Sequence, residues 1–243
     1  MATAVSSSPK KTRFRSLLRD TSRIIFPELC CHCGNILVGD EDHLCTNCLC
    51  SIPWAKQAAY TGNITEQRLI GHIPGAAASL LFFNNGNIAQ TIVHQIKYHG
   101  NMKMAKTYGR LLGKMLQESG RFDDIDLIIP VPLHFLRRIR RGYNQSELLC
   151  QAVSEELHRP IATRNLYRKR YTSTQTHKSR KERQENMKNV FAVRNSKQLE
   201  NKHILLIDDV ITTGATMEGC YLALSHIPGL SISVASLAIT QKI

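Results

Sequence analysis

The stretch ILLIDDVITTGAT at residues 204–216 constrains the fold more than any other part of the sequence. Four aliphatic residues, typical of a buried strand, run directly into Asp208 and Asp209, and threonines around Gly214 follow. In an open α/β sheet, ligands bind beyond the carboxyl ends of the strands, in the loops that lead into helices. The stretch therefore predicts a strand, a ligand-binding loop and a helix, in that order.

The residues of this loop indicate a ligand that carries both a phosphate and neighbouring hydroxyl groups. The first N–H groups of a helix have no internal partner and carry positive partial charge, so a phosphate fits there beside threonine hydroxyls. Gly214 lets the backbone approach such a ligand closely. Asp208 and Asp209 can accept hydrogen bonds from vicinal hydroxyls. A ribose 5-phosphate meets these requirements, and the alternative is that a threonine only caps the helix.

Predicted strands and helices alternate along the chain, joined by loops. Strands are predicted at 76–83, 125–132, 161–168, 203–209 and 231–239, and helices at 13–26, 87–98, 103–118, 144–158 and 214–225. Asn144, with Glu147 three residues later, predicts the start of one helix, and Arg159 with Pro160 predicts its end. Strands that alternate with helices imply parallel pairing with right-handed crossovers. The predicted class is α/β with a mainly parallel sheet.

Six of the eight cysteines lie within 21 residues, from Cys30 to Cys50. They include two C-x2-C pairs separated by eleven residues, Cys30 and Cys33 followed by Cys45 and Cys48. This spacing is typical of tetrahedral zinc with four thiolates, which leaves no open position, so the zinc is predicted to be structural. A reducing compartment favours metal over disulfides. The neighbours close enough to replace one ligand are Cys31, His32, His43 and Cys50.

The formal net charge of +13 over 243 residues is unevenly placed. One cluster consists of Arg137, Arg138, Arg140 and Arg141, and the other of Arg168, Lys169, Arg170, Lys178, Arg180, Lys181 and Arg183. Such clusters suit phosphate-rich partners, either a nucleotide-like ligand or nucleic acid, although a solvated basic surface would look the same. No apolar run approaches the roughly 20 residues that cross a bilayer. The N-terminal sequence lacks the apolar centre of a secretory signal, so a cytoplasmic protein is predicted.

The stretch 204–216 resembles the 5-phosphoribosyl-1-pyrophosphate (PRPP) binding motif of type I phosphoribosyltransferases. The resemblance implies that Asp208 and Asp209 bind the ribose 2′- and 3′-hydroxyls, and that residues 212–216 bind the 5′-phosphate. The PRPP-binding residues implied here are Asp208, Asp209, Val210, Thr212, Thr213, Gly214, Ala215 and Thr216.

Other segments resemble the ComF family. They are KYHG at 97–100, PVPLHFLRRIRRGYNQ at 130–145, the cysteine-rich module ahead of both, and the residues Thr172, Gln175, Arg183, Asn186 and Phe191. The resemblance covers nearly the whole chain beyond residue 25, and Lys178 departs from it, because the family has an apolar residue there. It implies a type I phosphoribosyltransferase-like core with a small zinc module. The expected division is a basic tail and short helix at 1–26, the zinc module at 27–54 and the core domain at 55–243.

Two further loops are implied to reach PRPP. The loop after the first core strand is expected to contact the pyrophosphate through Pro132 and Arg141, since arginine forks suit pyrophosphate oxygens. The alternative for that loop is a basic patch at the start of a helix. The resemblance alone brings Lys97 towards the ligand.

The basic segment 169–189 is too long for an ordinary connection, and long loops in compact domains are often lids. By resemblance it is the flexible loop that closes over PRPP, excludes water and brings cations to the leaving pyrophosphate. The candidate cations are Arg170, Lys178 and Arg183, of which Arg183 is assigned a catalytic role with Asp208 and Asp209. A basic surface loop is the alternative.

The implied chemistry is Mg²⁺-dependent transfer or hydrolysis at ribose C1, with release of pyrophosphate. No residue identifies an acceptor base. Glutaminase activity is not expected, because it usually requires a cysteine at the mature N-terminus and residue 2 is Ala. The ComF resemblance also implies a role in uptake of single-stranded DNA during natural transformation, beside a competence helicase. The alternative function is a non-catalytic, PRPP-sensing competence protein that binds single-stranded DNA.

Overall fold

The computed structural model describes residues 27–71, 73–133, 139, 141–169 and 190–241. The chain divides into two compact units, with the boundary between Ile52 and Pro53. The predicted domain limits at residues 26 and 54 stay predictions. Features that lie outside the described residues are the predicted helix at 13–26 and the residues Arg137, Arg138, Arg140, Arg170, Thr172, Gln175, Lys178, Arg180, Lys181, Arg183 and Asn186. Within the described ranges, no helix combines the length and the apolar character that crossing a membrane requires.

The described part of the first unit consists of turns and a short helix, α1 (Thr46–Cys50). The Cys30 N–H donates to the Asn35 carbonyl at 2.7 Å, and the Gly34 N–H donates back to the Cys30 carbonyl at 2.9 Å. Gly34 has φ 77°, a left-handed conformation that glycine adopts without steric cost. These contacts close a tight turn around the first C-x2-C pair.

The second unit alternates strands and helices around a parallel sheet. Its elements in chain order are α2 (Ile64–Leu69), β1 (Ala77–Phe83), α3 (Ile88–Tyr98), α4 (Met102–Glu118), β2 (Leu127–Pro130), α5 (Gln145–Leu157), β3 (Leu166–Arg168), β4 (Phe191–Val193), a 3-10 turn (Ser196–Leu199), β5 (His203–Ile211), α6 (Ala215–Leu224) and β6 (Ser231–Thr240). The predicted helices from residue 87 onwards and the strands at 76–83 and 231–239 are confirmed to within a residue or two at each end.

The described residues form a four-stranded sheet in the order β1-β6-β5-β2, and every neighbouring pair is parallel. Residues 204–207 of β5 are fully buried, as expected for a central strand covered on both faces. The mainly parallel α/β class predicted from the sequence is confirmed. The carboxyl ends of β2 and β5 lie side by side, which brings the loops that follow them to one edge of the sheet.

The strand predicted at 161–168 is wrong in its extent and in its pairing. Only Leu166–Arg168 forms a strand, and it pairs antiparallel with β4 in a separate two-stranded sheet. Ile161 contributes a single parallel bridge to Ile128. Three of the four residues between Ile161 and Leu166 are polar, namely Thr163, Arg164 and Asn165, and burying their unpaired polar groups in the parallel sheet would cost free energy.

Two predicted element ends also differ. β5 runs on to Ile211, two residues beyond the predicted end at Asp209, because pairing with β6 continues past the two acids. The helix α5 ends at Leu157 because His158 adopts a left-handed conformation with φ 54°. That residue ends the helix one position before the predicted Arg159.

Two glycines set the close packing of α4 against α5. A Cβ at Gly109 would lie 2.7 Å from the Ala152 Cβ, and one at Gly113 would lie 2.8 Å from the Glu156 Cβ. Both distances are too short for packed carbon atoms. The glycines therefore allow the two helices to approach, and α5 packs on its other side against β5.

Asn144 fixes the start of α5 beside the carboxyl end of β2. Its side-chain oxygen accepts from the Ser146 N–H at 3.2 Å, which confirms it as the N-cap. Its amide donates to the Val131 carbonyl, also at 3.2 Å. The first turn of α5 is therefore held at the same edge of the sheet as the acidic pair of β5.

Candidate functional site

A cavity of about 220 Å³ lies at the carboxyl ends of β2 and β5. The predicted site residues that line it are Lys97, Pro132, Arg141, Asp208, Asp209, Val210 and Thr216. Lining residues to which the sequence assigned no site role include Tyr98, Gln145 and Ser146. Thr212, Thr213, Gly214 and Ala215 do not line the cavity, and they lie in the adjoining connection from β5 into α6. The structure thus brings together residues from four separate segments of the chain.

Asp208 accepts two hydrogen bonds from neighbouring groups of the protein. One of its oxygens accepts from the Ser146 hydroxyl at 3.1 Å and from the Asp209 N–H at 2.8 Å. Burial, followed by repulsion from the Asp209 carboxylate, raises the pKa of Asp208 to about 7. Near neutral pH this carboxyl group can therefore either accept or donate a hydrogen bond.

Asp209 is paired with Lys97. The Lys97 Nζ lies 2.8 Å from the Asp209 Oδ1, and only 19% of the lysine side chain and 13% of the aspartate side chain are exposed. A charge-assisted contact at this distance in a partly buried place is much stronger than a surface ion pair. Lys97, which the resemblance alone brings towards a ligand, lines the cavity beside Asp209.

Arg141 and its neighbours connect the loop before α5 to the end of α3. The guanidinium lies over the Tyr98 ring, 4.9 Å from its centroid, and donates to the Gln145 Oε1 at 2.9 Å. The Tyr143 hydroxyl donates to the Ile96 carbonyl at 2.5 Å. These contacts hold Arg141 at the cavity while leaving part of its fork of N–H donors available.

Gly214 begins α6 in a left-handed conformation with φ 83°, and no side chain caps the helix. A Cβ at this position would lie 3.1 Å from the Leu69 Cδ2, so both the backbone angle and the space favour glycine. Thr213 accepts from the Ala215 N–H only at 3.4 Å, which is a weak contact. The N-cap is therefore glycine, unlike the threonine cap that the sequence left open, and the first N–H groups of α6 suit an anion.

Arg68 of α2 contacts the connection between β5 and α6. It donates to the carbonyls of Thr212 and Thr240, the latter at 2.9 Å, and the Thr240 hydroxyl also donates to the Thr212 carbonyl at 3.2 Å. The sequence analysis missed Arg68, because it lies 144 residues from its partner and belongs to no motif. A guanidinium that binds two carbonyls fixes the start of the loop relative to the last strand.

A second cavity of about 380 Å³ adjoins the first, since both are lined by Pro132, Leu133, Asn144 and Arg168. Tyr167 of β3 also lines it, and the guanidinium of Arg194 lies 4.6 Å from the centroid of this ring. Tyr167 is therefore an aromatic side chain at the wall of this second cavity, with Arg194 packed over its ring.

The cysteine cluster of the first unit is formed by Cys30, Cys33, Cys45 and Cys48. Their four Sγ atoms lie within 4.8 Å of one another, and three of the four residues are buried. Burial acts to raise the pKa of Cys30, but backbone hydrogen bonds from Cys33, Cys45 and His32 outweigh it and lower this pKa to about 6. The sulfur donors and their grouping fit a tetrahedral zinc ion. The possible substitutes Cys31, His32, His43 and Cys50 are outside this group.

The second unit is similar to known phosphoribosyl transferase domains. Residues 119–238 match the family described as Phosphoribosyl transferase domain. Among solved structures, purine phosphoribosyltransferase from Pyrococcus horikoshii Ot3 is 19% identical, with a TM-score of 0.37, over 58% of this chain and 77% of that chain.

Relatives in bacteria extend the similarity over most of the chain. Competence protein F of Haemophilus influenzae is 34% identical over 193 residues, which cover 77% of this chain and 74% of the relative. DNA utilization protein YhgH of Escherichia coli O157:H7 is 37% identical over 129 residues, or 52% of this chain and 56% of the relative. Competence protein ComFC of Bacillus subtilis is 30% identical over 118 residues, or 48% of this chain and 45% of the relative.

Proposed function

Because the chain belongs to the ComF family and its second unit has a type I phosphoribosyltransferase fold, we propose that it binds PRPP with Mg²⁺ and acts in DNA uptake. The observation that carries the proposal is the convergence of two carboxylates and two cations, Asp208, Asp209, Lys97 and Arg141, around one cavity. The first turn of α6 stands beside them. The uptake role is inferred from the names of the relatives, which refer to competence and DNA utilization.

The proposed placement of the ligand follows the charges. The carboxyl groups of Asp208 and Asp209 accept from the ribose hydroxyls, and the N-terminus of α6 with its threonine hydroxyls binds the 5′-phosphate. Lys97 and Arg141 bind the pyrophosphate oxygens. Mg²⁺ would neutralise part of the pyrophosphate charge, and the carboxyl groups of Asp208 and Asp209 would supply oxygen ligands for it. Val210 and Pro132 shape the wall between these subsites.

The proposed reaction is substitution at ribose C1. A nucleophile, either water or a nitrogen atom of an acceptor, forms a bond to C1 while the bond from C1 to the pyrophosphate oxygen breaks. The electron pair leaves with pyrophosphate, and Lys97 and Arg141 stabilise the charge that develops there. Arg183, which lies outside the described residues, is proposed as a third cation. The cavity beside Tyr167 is the proposed place for an acceptor.

The cysteine cluster is proposed to bind one structural zinc ion through Cys30, Cys33, Cys45 and Cys48. Zinc of this kind supplies folding free energy to the small unit that holds it. No step of the proposed reaction involves this metal.

Calorimetric titration of the full chain with PRPP, with ribose 5-phosphate and with either ligand plus Mg²⁺ tests the proposal. We expect PRPP to bind more tightly with Mg²⁺ than without it, and ribose 5-phosphate to respond little to Mg²⁺. The double variant Asp208→Asn, Asp209→Asn should lose most of the affinity while remaining folded. Unchanged PRPP affinity in that folded variant would refute the ribose placement.

The second candidate function is a non-catalytic one, in which PRPP acts as a signal and the protein binds single-stranded DNA. The formal net charge of +13 favours it, because phosphate contacts supply affinity that does not depend on sequence. Fluorescence anisotropy with an oligonucleotide distinguishes this role. Affinity should fall steeply between about 50 and 200 mM salt and should change little with base sequence. Release of pyrophosphate in the presence of PRPP and candidate bases would instead support catalysis.

A further inference from the structure

Gln145, the first residue of α5, has a buried amide that lacks a hydrogen-bond acceptor. The residue is 1% exposed and lines the cavity that contains the acidic pair. Its Nε2 makes no hydrogen bond within the part of the chain that the structure describes. Most buried donors in folded proteins are paired, and an unpaired one lowers stability, so such a group at a cavity wall indicates an acceptor from outside the chain.

The orientation of this amide is fixed by Arg141. The Arg141 Nη1 donates to the Gln145 Oε1 at 2.9 Å, and a guanidinium has no acceptor atom. Turning the amide over would place two donors against each other, so the oxygen must lie towards Arg141 and the nitrogen away from it. Arg141 is itself held on the Tyr98 ring. The unpaired Nε2 is therefore a positioned donor rather than a freely rotating one.

The surroundings of Nε2 favour an anionic acceptor. Gln145 begins a helix of 13 residues, whose N-terminus carries positive partial charge, and Arg141 stands next to it. Phosphate oxygens only accept hydrogen bonds, so they need a donor such as Nε2. Ribose hydroxyls both donate and accept, and the carboxyl groups of Asp208 and Asp209 in the same cavity can accept from them. The cavity therefore has donors on its α5 side, which suit phosphate oxygens, and carboxyl acceptors on its β5 side, which suit ribose hydroxyls.

We propose that the Gln145 Nε2 donates a hydrogen bond to the pyrophosphate group of the ligand and so distinguishes PRPP from ribose 5-phosphate. This inference rests on the proposed function and adds a residue for which the sequence analysis gave no role. Ribose 5-phosphate leaves Nε2 without an anionic acceptor. PRPP and inorganic pyrophosphate both provide one.

Three variants test the inference. Gln145→Met keeps the approximate length of the side chain and removes the donor. Gln145→Glu keeps an oxygen for Arg141 and replaces the donor with an acceptor. Gln151→Met, an exposed position on the same helix, is the matched control. Each is titrated by calorimetry with PRPP plus Mg²⁺, with inorganic pyrophosphate plus Mg²⁺ and with ribose 5-phosphate, and its thermal unfolding is recorded without ligand.

We expect Gln145→Met to bind PRPP and pyrophosphate about tenfold or more weakly, as for the loss of a hydrogen bond to a charged group, and to bind ribose 5-phosphate as the wild type does. Gln145→Glu should weaken both pyrophosphate-bearing ligands further, and Gln151→Met should change nothing. If Gln145→Met does not fold, the same comparison is made with Gln145→Glu.

Unchanged affinity for pyrophosphate and PRPP in the Gln145 variants would overturn the inference. An equal loss for all three ligands would also overturn it, because it would mean a structural role. A wild-type protein that binds ribose 5-phosphate but neither pyrophosphate-bearing ligand would overturn the inference and leave the ribose and phosphate subsites of the proposed function intact. A wild-type protein that binds none of the three would overturn both.

Discussion

The cysteine cluster and the acidic cavity are two sites of the same chain that are built in opposite ways. The four sulfur atoms come from 19 residues of sequence, and a tight turn and the first turn of α1 provide them. The cavity gathers Lys97, Arg141, Gln145 and the Asp208–Asp209 pair from segments that only the folded sheet brings together. A site of the first kind can be recognised from spacing alone. A site of the second kind depends on the whole second unit.

This difference predicts the effect of removing one side chain from each site. Loss of one ligand from a local cluster should destroy the unit that depends on it and leave the other unit folded. Loss of one group from the cavity should change ligand affinity or the pH dependence of stability, because the sheet holds the remaining groups in place.

The largest effect is expected for Cys48→Ser. Structural zinc supplies about 10–16 kcal/mol of folding free energy in small zinc domains, so removing one thiolate should unfold the first unit and lower the zinc content from about one ion per chain towards zero. Elemental analysis and limited proteolysis measure the two effects. Cys50→Ser is the matched control, since Cys50 is exposed and outside the cluster.

A metal-free protein that keeps a protease-resistant first unit would contradict the expected dependence of this unit on zinc. The contrast between the two sites also fails if Cys48→Ser unfolds the second unit. The fluorescence of Trp54, the single tryptophan of the chain, reports on the second unit independently.

The next effect is the pH dependence produced by Asp208. Its pKa is about 7 in the folded protein against an ordinary value of 3.8, so the folded state keeps a proton that the unfolded state has lost between these values. The contribution of Asp208 to the free energy of unfolding is therefore greatest below about pH 4, falls as the pH rises towards 7 and stays constant above pH 7. Asp208→Asn removes this loss, and at pH 8 it should raise the free energy of unfolding by on the order of 2–4 kcal/mol.

Urea unfolding followed by Trp54 fluorescence from pH 4.5 to 8 measures this gain. The exposed Asp123→Asn variant is the control and should show a constant, small difference. A difference between Asp208→Asn and wild type that does not grow with pH would contradict the raised pKa.

A smaller effect is expected for the ion pair of Asp209 and Lys97. A double-mutant cycle with Asp209→Asn and Lys97→Met should give a coupling of about 1.5–3 kcal/mol in stability, because the pair is short and mostly buried. The exposed pair of Lys106 and Glu155, at 3.6 Å, should give below about 1 kcal/mol in the same measurement. Equal couplings in the two cycles would show that burial does not strengthen the pair at the cavity.

The sequence predicted the parts of the fold and site that depend on local pattern. Apolar periodicity placed the main helices and strands, and the spacing of the cysteines selected the four that cluster. The end of β5 lies two residues beyond the predicted end at Asp209, because pairing with β6 extends the strand to Ile211.

The rest of the site could not be predicted because it depends on contacts between distant residues. Lys97 was placed by resemblance alone, and its partner Asp209 is 112 positions away. Gln145 looked like an ordinary first-turn residue, and only the bond from Arg141 shows that its amide is oriented. Arg68 belongs to no sequence motif, and its contacts to the Thr212 carbonyl and to the carbonyl and hydroxyl of Thr240 join residues more than 140 positions apart.

The smallest effect is expected for Thr213→Val, which tests whether the start of α6 binds a phosphate. Among the residues that the structure describes, the Thr213 hydroxyl makes only the long 3.4 Å contact, so its loss should change stability by less than about 0.5 kcal/mol. Affinity for ribose 5-phosphate and for PRPP should fall together, by about tenfold, because the hydroxyl would bond to a charged oxygen common to both ligands. This result would differ from that of Gln145→Met, which should affect only the ligand with a pyrophosphate group. Calorimetry on the two variants with the same two ligands separates the subsites, and a Thr213→Val variant that loses stability but no affinity would mean that this threonine serves the helix rather than a ligand.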